Sequence, residues 1–216
     1  MHLNSRQPRF GALPIGLDSA AIIIAEIGIN HEGSFDRCKA LIVAAAESGA
    51  NAIKLQTIDA DKCYARHSPS YELFKHSWLN QDETGRLFEF ARDCGLEPLT
   101  TVGDLDTLQW VEQFAPAAYK VSSGLLNHSD LLEALASLNH WVILSTGMSD
   151  QKDIDRALSI FEAAGNTNII LMQCTSKYPC PIEDVNLNVI RSWSDSYFTG
   201  FSDHTLEVCL PAFAVC

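Results

Sequence analysis

The chain alternates short, continuous apolar runs with segments whose apolar residues recur at helical spacing. The runs that read as strands are Ala21–Ile27, Ala52–Gln56, Glu97–Thr101, Ala118–Ser122, Trp141–Thr146, Asn168–Gln173 and Tyr197–Ser202. They are unbroken, not alternating, which is how parallel strands buried on both faces read. Between them, Phe35, Cys38, Leu41, Ile42 and Ala45 share one helix face, and Gly49 supplies a stop. Leu87, Phe88, Ala91 and Cys94 repeat the pattern up to Gly95, as do Ile154, Leu158, Phe161 and Ala164 up to Gly165. Ser129 reads as the N-cap of a helix carrying Leu132 and Leu135.

Repeated βα units predict an α/β fold with a parallel sheet, in one domain over residues 1–216. Seven strands fit an incomplete (β/α)8 TIM barrel better than an open doubly wound sheet, the alternative that the pattern leaves. The stretch from Ile58 to Gln81 is long for a βα loop and belongs on the catalytic face, where long loops act as lids. A last helix is expected to begin near Thr205, and no eighth strand follows before Cys216. The expectation is therefore a barrel truncated after about seven strands, either a fragment or a chain closed by a partner, since the missing strand exposes two unpaired edges.

Composition sharpens this picture. Hydrophobic residues make up 47% of the 216, enough for one sizeable core. The net charge of −12 disfavours nucleic acid and anionic membranes as partners, while leaving room for an anion held by lysines and backbone N–H groups in one cleft. The seven cysteines (Cys38, Cys63, Cys94, Cys174, Cys180, Cys209 and Cys216) are odd in number and never spaced as CxxC. They read as reduced cytoplasmic thiols, not as a disulfide framework or zinc ribbon. The apolar run Ala20–Ala25 is short and meets Glu26, so it reads as a buried strand, not an export or membrane segment.

Polar residues crowd the strand ends, where barrel enzymes place their chemistry. Strand one ends in Glu26, followed by Asn30-His31-Glu32-Gly33. Lys54 and Gln56 lie two apart, and so on one face of strand two. Lys120 precedes Ser122-Ser123-Gly124; later ends carry Ser145-Thr146-Gly147, Gln173 to Pro179, and Ser202-Asp203-His204-Thr205. A lysine among apolar residues needs an anion. For Lys54 and Lys120 that is either a structural partner such as Glu26 or Asp203, or a bound phosphate or carboxylate. His204, beside Asp203, is a candidate metal ligand or general base, or simply a hydrogen-bonded histidine. His31 reads equally as a turn residue. Among the cysteines, Cys174 is set apart by its place at a strand end.

The segments IIAEIGINHEGS, GANAIKLQT, YKVSSG, ILSTGM, QCTSKYPCPIEDVNL and GFSDHT, in this order from about Ile22 to Thr205, resemble the sialic acid synthase family. That family comprises the synthases of N-acetylneuraminate, legionaminate and pseudaminate and their spore-coat polysaccharide relatives. The resemblance implies a (β/α)8 barrel followed by an antifreeze-like domain, a divalent metal (manganese or magnesium), a homodimer and a cytoplasmic enzyme. It implies aldol-type condensation of phosphoenolpyruvate with an N-acetylated amino-sugar aldehyde, giving a nonulosonic acid and phosphate. It further implies that Lys54, Lys120, Ser123, Ser145 and Ser202 hold phosphoenolpyruvate, with Ser176 where some relatives carry an Asn. Tyr178 is expected to line the sugar site and His204 to be one metal ligand. Glu26 and Gln56 are expected to order the site, Glu26 also managing protons.

There are departures from the family pattern. Leu125 stands where an acidic residue is usual after the Ser-Gly of strand four, His128 where an Asn follows, and Gln173 for a common His. The family's second metal-ligating His, on strand eight, and its antifreeze-like domain have no counterpart in the 216 residues. The competing readings are a non-catalytic relative that binds an anionic sugar or phosphate, and an aldolase-type barrel using Lys54 or Lys120 as a Schiff base.

Overall fold

The computed structural model describes residues 8–16 and 18–215, and its contacts divide the chain into two compact units, residues 1–119 and 120–216. The first unit opens on a small antiparallel hairpin, β1 (Arg9–Phe10) and β2 (Leu13–Pro14), which the sequence pattern did not signal. Phe10 is buried at its base, and the Glu97 side chain accepts a hydrogen bond from the Ala12 N–H at 2.6 Å.

The parallel strands β3 (Ile24–Gly28), β4 (Ala52–Thr57) and β5 (Glu97–Val102) follow in order. Helix α1 (Phe35–Glu47) connects the first two and α4 (Gln81–Asp93) leads into the third. Their caps are those the sequence supplies. Ser34 accepts from the Arg37 N–H, Asn80 and Glu83 form a reciprocal capping box, and Gly49 and Gly95 leave the helices at φ +83° and +79°. The expected apolar faces are buried through Cys38, Ile42, Leu87, Phe88 and Ala91.

The long connection after β4 is folded. It contains α2 (Ala60–Cys63) and α3 (Pro69–His76), whose Tyr64 and Phe74 rings stack with centroids 5.0 Å apart. Asp61 receives the Tyr71 hydroxyl at 2.6 Å and an ion pair from Lys75, and Lys62 reaches Asp106 at 2.7 Å. After β5 come helix α5 (Leu105–Val111), capped by Asp104, and a 3-10 turn over Glu112–Phe114.

The second unit takes up at β6 (Tyr119–Val121). It continues through α6 (Ser129–Ser137), β7 (Val142–Ser145), α7 (Gln151–Ala163), β8 (Ile169–Cys174), α8 (Val189–Trp193), β9 (Phe198–Ser202) and α9 (Leu210–Phe213). The seven longer strands keep sequence order from β3 to β9, the strand order of a (β/α)8 barrel through its seventh strand. Two details correct the sequence reading. The cap of α6 is His128, whose Nδ1 accepts from the Leu131 N–H at 3.3 Å, and Ser129 is the first helical residue. The last helix begins at Leu210, not near Thr205. The Asp203 carboxylate takes the Thr205 N–H and the Thr205 hydroxyl takes the Glu207 N–H, so that segment is a pair of side-chain turns.

The six described cysteines are free thiols, and Cys216 lies outside the described residues. Among the described residues no helix is long and apolar enough to cross a membrane.

Candidate active site

In the first unit, Glu26 and Lys54 are direct partners across β3 and β4. The Glu26 carboxylate lies 2.7 Å from Lys54 Nζ. Lys54 is 9% exposed and Glu26 is open to solvent on one side, so the lysine is the desolvated member of the pair. For Lys54, the structural partner envisaged in the sequence is therefore present. The register shifts only after Glu26, between it and Gly28. Gly28 sits at φ +56°, and a Cβ there would lie 2.9 Å from Glu26 Oε1 and 3.6 Å from Gln56 Oε1. Glu26, Lys54 and Gln56 thus converge, as the spacing of Lys54 and Gln56 requires.

His31 is not part of that convergence as a ligand. It is 1% exposed, and its Nδ1 accepts the Gly33 N–H at 3.2 Å. Burial holds its imidazole below the ordinary histidine value, against the raising effects of the Gly28 backbone and the Glu83 charge. It is a neutral turn residue. The cavity beside it, lined by Leu55, Gln56, Thr57, Leu79 and Thr84, has a volume of about 10 Å3, room for one water and no more.

In the second unit, Lys120 is buried on β6 and donates to Ser145 Oγ on β7 and to the Val121 carbonyl. Ser123 Oγ accepts the Gly147 N–H at 3.1 Å. Gly147 is required by crowding: a Cβ would stand 2.8 Å from Ser176 Oγ, 2.9 Å from the Cys174 carbonyl and 2.9 Å from Ser123 Oγ. Three strand-end segments therefore bring Ser123, Ser176 and a backbone N–H within a few ångströms. Ser202 lies beside Cys174 as its register partner on β9.

His204 follows β9 and is anchored by the Thr175 carbonyl, which receives Nδ1–H at 2.8 Å. Cys174 Sγ lies 3.9 Å from the same nitrogen; the carbonyl is the nearer and better acceptor, so it takes the proton. The neutral ring is thereby fixed with Nε2 as its free lone pair. Burial pushes the Cys174 thiol up, but its contacts with His204 and Ser123 and the charges of His204 and Lys120 outweigh this and hold it below the ordinary value. His204 is raised, first by the Cys174 contact and also by the Thr175 carbonyl, against desolvation. Tyr178 covers the imidazole, ring centroids 4.2 Å apart, and is otherwise exposed.

The described residues do not gather a self-sufficient metal site: no three His, Cys, Asp or Glu side chains converge. His204 offers one suitable nitrogen. Asp203 is occupied in its turn, and Gln173 donates to the Val185 carbonyl at 2.9 Å. A wider depression of about 440 Å3 is lined by Gly124, Leu125, Asn127, His128, Ser129 and Asp130. Leu125 gives it an apolar wall.

The profile of the NeuB family matches residues 41–216. The chain belongs to the NeuB family. Among its NeuB-type relatives, the spore coat polysaccharide biosynthesis protein SpsE of Bacillus subtilis is 35% identical over 88% of this chain and 55% of its own length. An N,N'-diacetyllegionaminic acid synthase of Legionella pneumophila is 32% identical over 95% of the chain and 63% of its own. The chain thus spans a little over half the length of these curated relatives. A crystal structure of N-acetylneuraminic acid (sialic acid) synthetase from Leptospira borgpetersenii, in complex with citrate, superposes with a TM-score of 0.91 at 30% identity, covering 99% of this chain and 75% of that one.

In this NeuB-family chain the sequence shows the strand-end residues but not their contacts. The tie of His204 to Cys174 and Thr175 spans 29 or 30 residues and depends on the pairing of β8 with β9. The position of Cys174 at a strand end was its one sequence signal.

Proposed function

We propose that this protein takes part in condensing phosphoenolpyruvate with an N-acetylated amino-sugar aldehyde, yielding a nonulosonic acid and inorganic phosphate. The observation that carries this reading is the pair of buried lysines with their polar partners, Lys54 against Glu26 and Lys120 against Ser145, in a chain of this family. Burying such charges is costly unless an anion is to be met. The Legionella pneumophila relative, an N,N'-diacetyllegionaminic acid synthase, makes a product of the same class, which supports the reading.

In this reading Lys54 and Lys120 neutralise the phosphate and carboxylate of phosphoenolpyruvate, and Ser123, Ser145, Ser176 and Ser202 donate hydrogen bonds to its oxygens. C3 of the enol bonds to the aldehyde carbon, water adds at C2, and the tetrahedral carbon expels phosphate by C–O cleavage. Glu26, beside Gln56, exchanges protons with that water. Tyr178 presents its exposed ring to the sugar. A divalent ion, manganese or magnesium, would polarise the aldehyde oxygen. His204 Nε2 would be one of its ligands, and the described residues do not supply the rest.

The test is to incubate the chain with phosphoenolpyruvate, manganese and a panel of N-acetylated amino sugars beginning with N-acetylmannosamine, following phosphate and the nonulosonic acid by mass. Phosphate and sugar acid formed in equal amounts, and lost in Lys120→Met, support the proposal. Phosphoenolpyruvate that is neither bound nor consumed in any mixture, or a borohydride-trapped adduct on Lys54 or Lys120, contradicts it.

A further inference from the structure

The connection between β4 and α4 is seated at its ends and lightly held in its middle. Ile58 and Ala60 are buried at one end, Ser77 and Leu79 at the other. Between them α3 buries none of its described residues, and its Leu73 is 54% exposed. At the close of α3 the His76 carbonyl rests against Gly33. The remaining ties of α3 run to α2 and the residue after it. Asp61 receives the Tyr71 hydroxyl at 2.6 Å and pairs with Lys75, and the Tyr64 ring stacks on Phe74. A helix with so little buried surface belongs to the part of a fold that opens at low cost.

Lys62, the residue after Asp61, grips the rest of the unit. Its ammonium lies 2.7 Å from the Asp106 carboxylate and 3.4 Å from that of Asp104. Asp104 is a fixed anchor, because it caps α5 by accepting the Thr107 N–H at 2.9 Å and the Thr107 hydroxyl at 2.6 Å. Cys63 abuts the same turn: a Cβ on Gly103 would stand 2.4 Å from its Sγ. Helix α2 is therefore a coupling. Asp61 holds α3, and Lys62 holds the start of α5. Leu79, at the far end of the connection, lines the water-sized cavity beside Gln56, so in this seated state that side of the strand end is shut.

We propose that α2 and α3 form an ionically latched lid: Lys62 fastens it to Asp104 and Asp106, and release of that contact frees α3 to swing out from the C-terminal end of β4. Both contacts are open to water, so salt weakens them. What the lid covers rests on the phosphoenolpyruvate reading above; the latch does not.

Hydrogen exchange followed by mass spectrometry tests this without substrate, reading α2 and α3 as separate peptides with α1 as reference. At about 0.01 M salt, where exposed charges act at full range, α3 should exchange a few-fold faster in Lys62→Met than in wild type, the size of effect an exposed ion pair can have. Asp106→Asn should raise it less, since Asp104 still holds the ammonium, and the double variant should rise no further than Lys62→Met. At about 1 M salt wild type and Lys62→Met should converge. Exchange in α3 that is unchanged in Lys62→Met overturns the proposal. So does a rise confined to α2, which would mean that α2 frays without carrying α3, and so does an equal rise in α1, which would mean general loosening. Slower exchange of α3 on adding phosphoenolpyruvate to wild type is scored separately: its absence counts against the functional reading and leaves the latch standing.

Discussion

Glu26 and Lys54 are lateral partners on adjacent parallel strands, and the carboxylate lies 2.7 Å from the ammonium. The glutamate is half exposed and the lysine nearly buried. Because water screens one side, the pair contributes little to stability, and its worth lies in orienting the lysine. Glu26→Gln should therefore lower the unfolding free energy by no more than about 1 kcal/mol. A urea titration showing a loss several times larger would mean that the pair is chiefly structural.

Gly147→Ala should be costly. The added methyl would meet the Cys174 carbonyl, which is backbone and cannot rotate away, as well as Ser123 and Ser176. Overpacking of this kind destabilises by about 1–3 kcal/mol. Calorimetric melting should show a lowered Tm together with weakened phosphoenolpyruvate binding. An unchanged melt would show that the three segments are looser than their distances imply.

Histidine 31 makes stability depend on pH. Its ordinary value of 6.5 applies to the unfolded chain, and burial lowers it in the fold. Between the two values the unfolded state binds more protons, so stability falls as pH drops through and below 6.5. His204, raised in the fold, acts in the opposite sense: its contribution is lost as pH rises. The urea midpoint of wild type minus that of His31→Asn should therefore decrease from about pH 7 to about pH 5. A difference that is flat with pH would show that the His31 ring is not held neutral.

His204→Ala should lose manganese binding measured in the presence of phosphoenolpyruvate. The Thr175 carbonyl fixes Nε2 as the available nitrogen, and with one protein ligand the ion needs the substrate's oxygens as well. Electron paramagnetic resonance of bound manganese is the readout, and an equal signal in the variant would remove His204 as a ligand.

How far the sequence could be read follows from which interactions are local. Apolar runs located all seven longer strands to within a few residues, β3 and β9 included although neither is buried throughout. Helix stops were visible because Gly49, Gly95 and Gly165 leave their helices at positive φ. The β1–β2 hairpin escaped notice, since two-residue strands carry no period and its anchor is Glu97, 85 residues from Ala12. The cap of α6 was misplaced by one residue, because the imidazole of His128 did the work expected of the Ser129 hydroxyl. At the site, residue types were legible and partners were not. Whether Lys54 met Glu26 or an anion depended on strand register, and whether His31 was ligand or turn depended on its bond to Gly33.

The central claim is that the buried lysines exist to hold phosphoenolpyruvate, and calorimetric titration of that ligand into the chain tests it most directly. Wild type should bind saturably. Lys54→Met and Lys120→Met should each lose about 1.5–3 kcal/mol, the worth of a charge-assisted hydrogen bond, which is roughly a ten- to hundredfold weaker Kd. Tyr178→Phe, which keeps the ring over His204, should bind as wild type does. Binding that is equal in wild type and both methionine variants, or absent from wild type, would contradict the account.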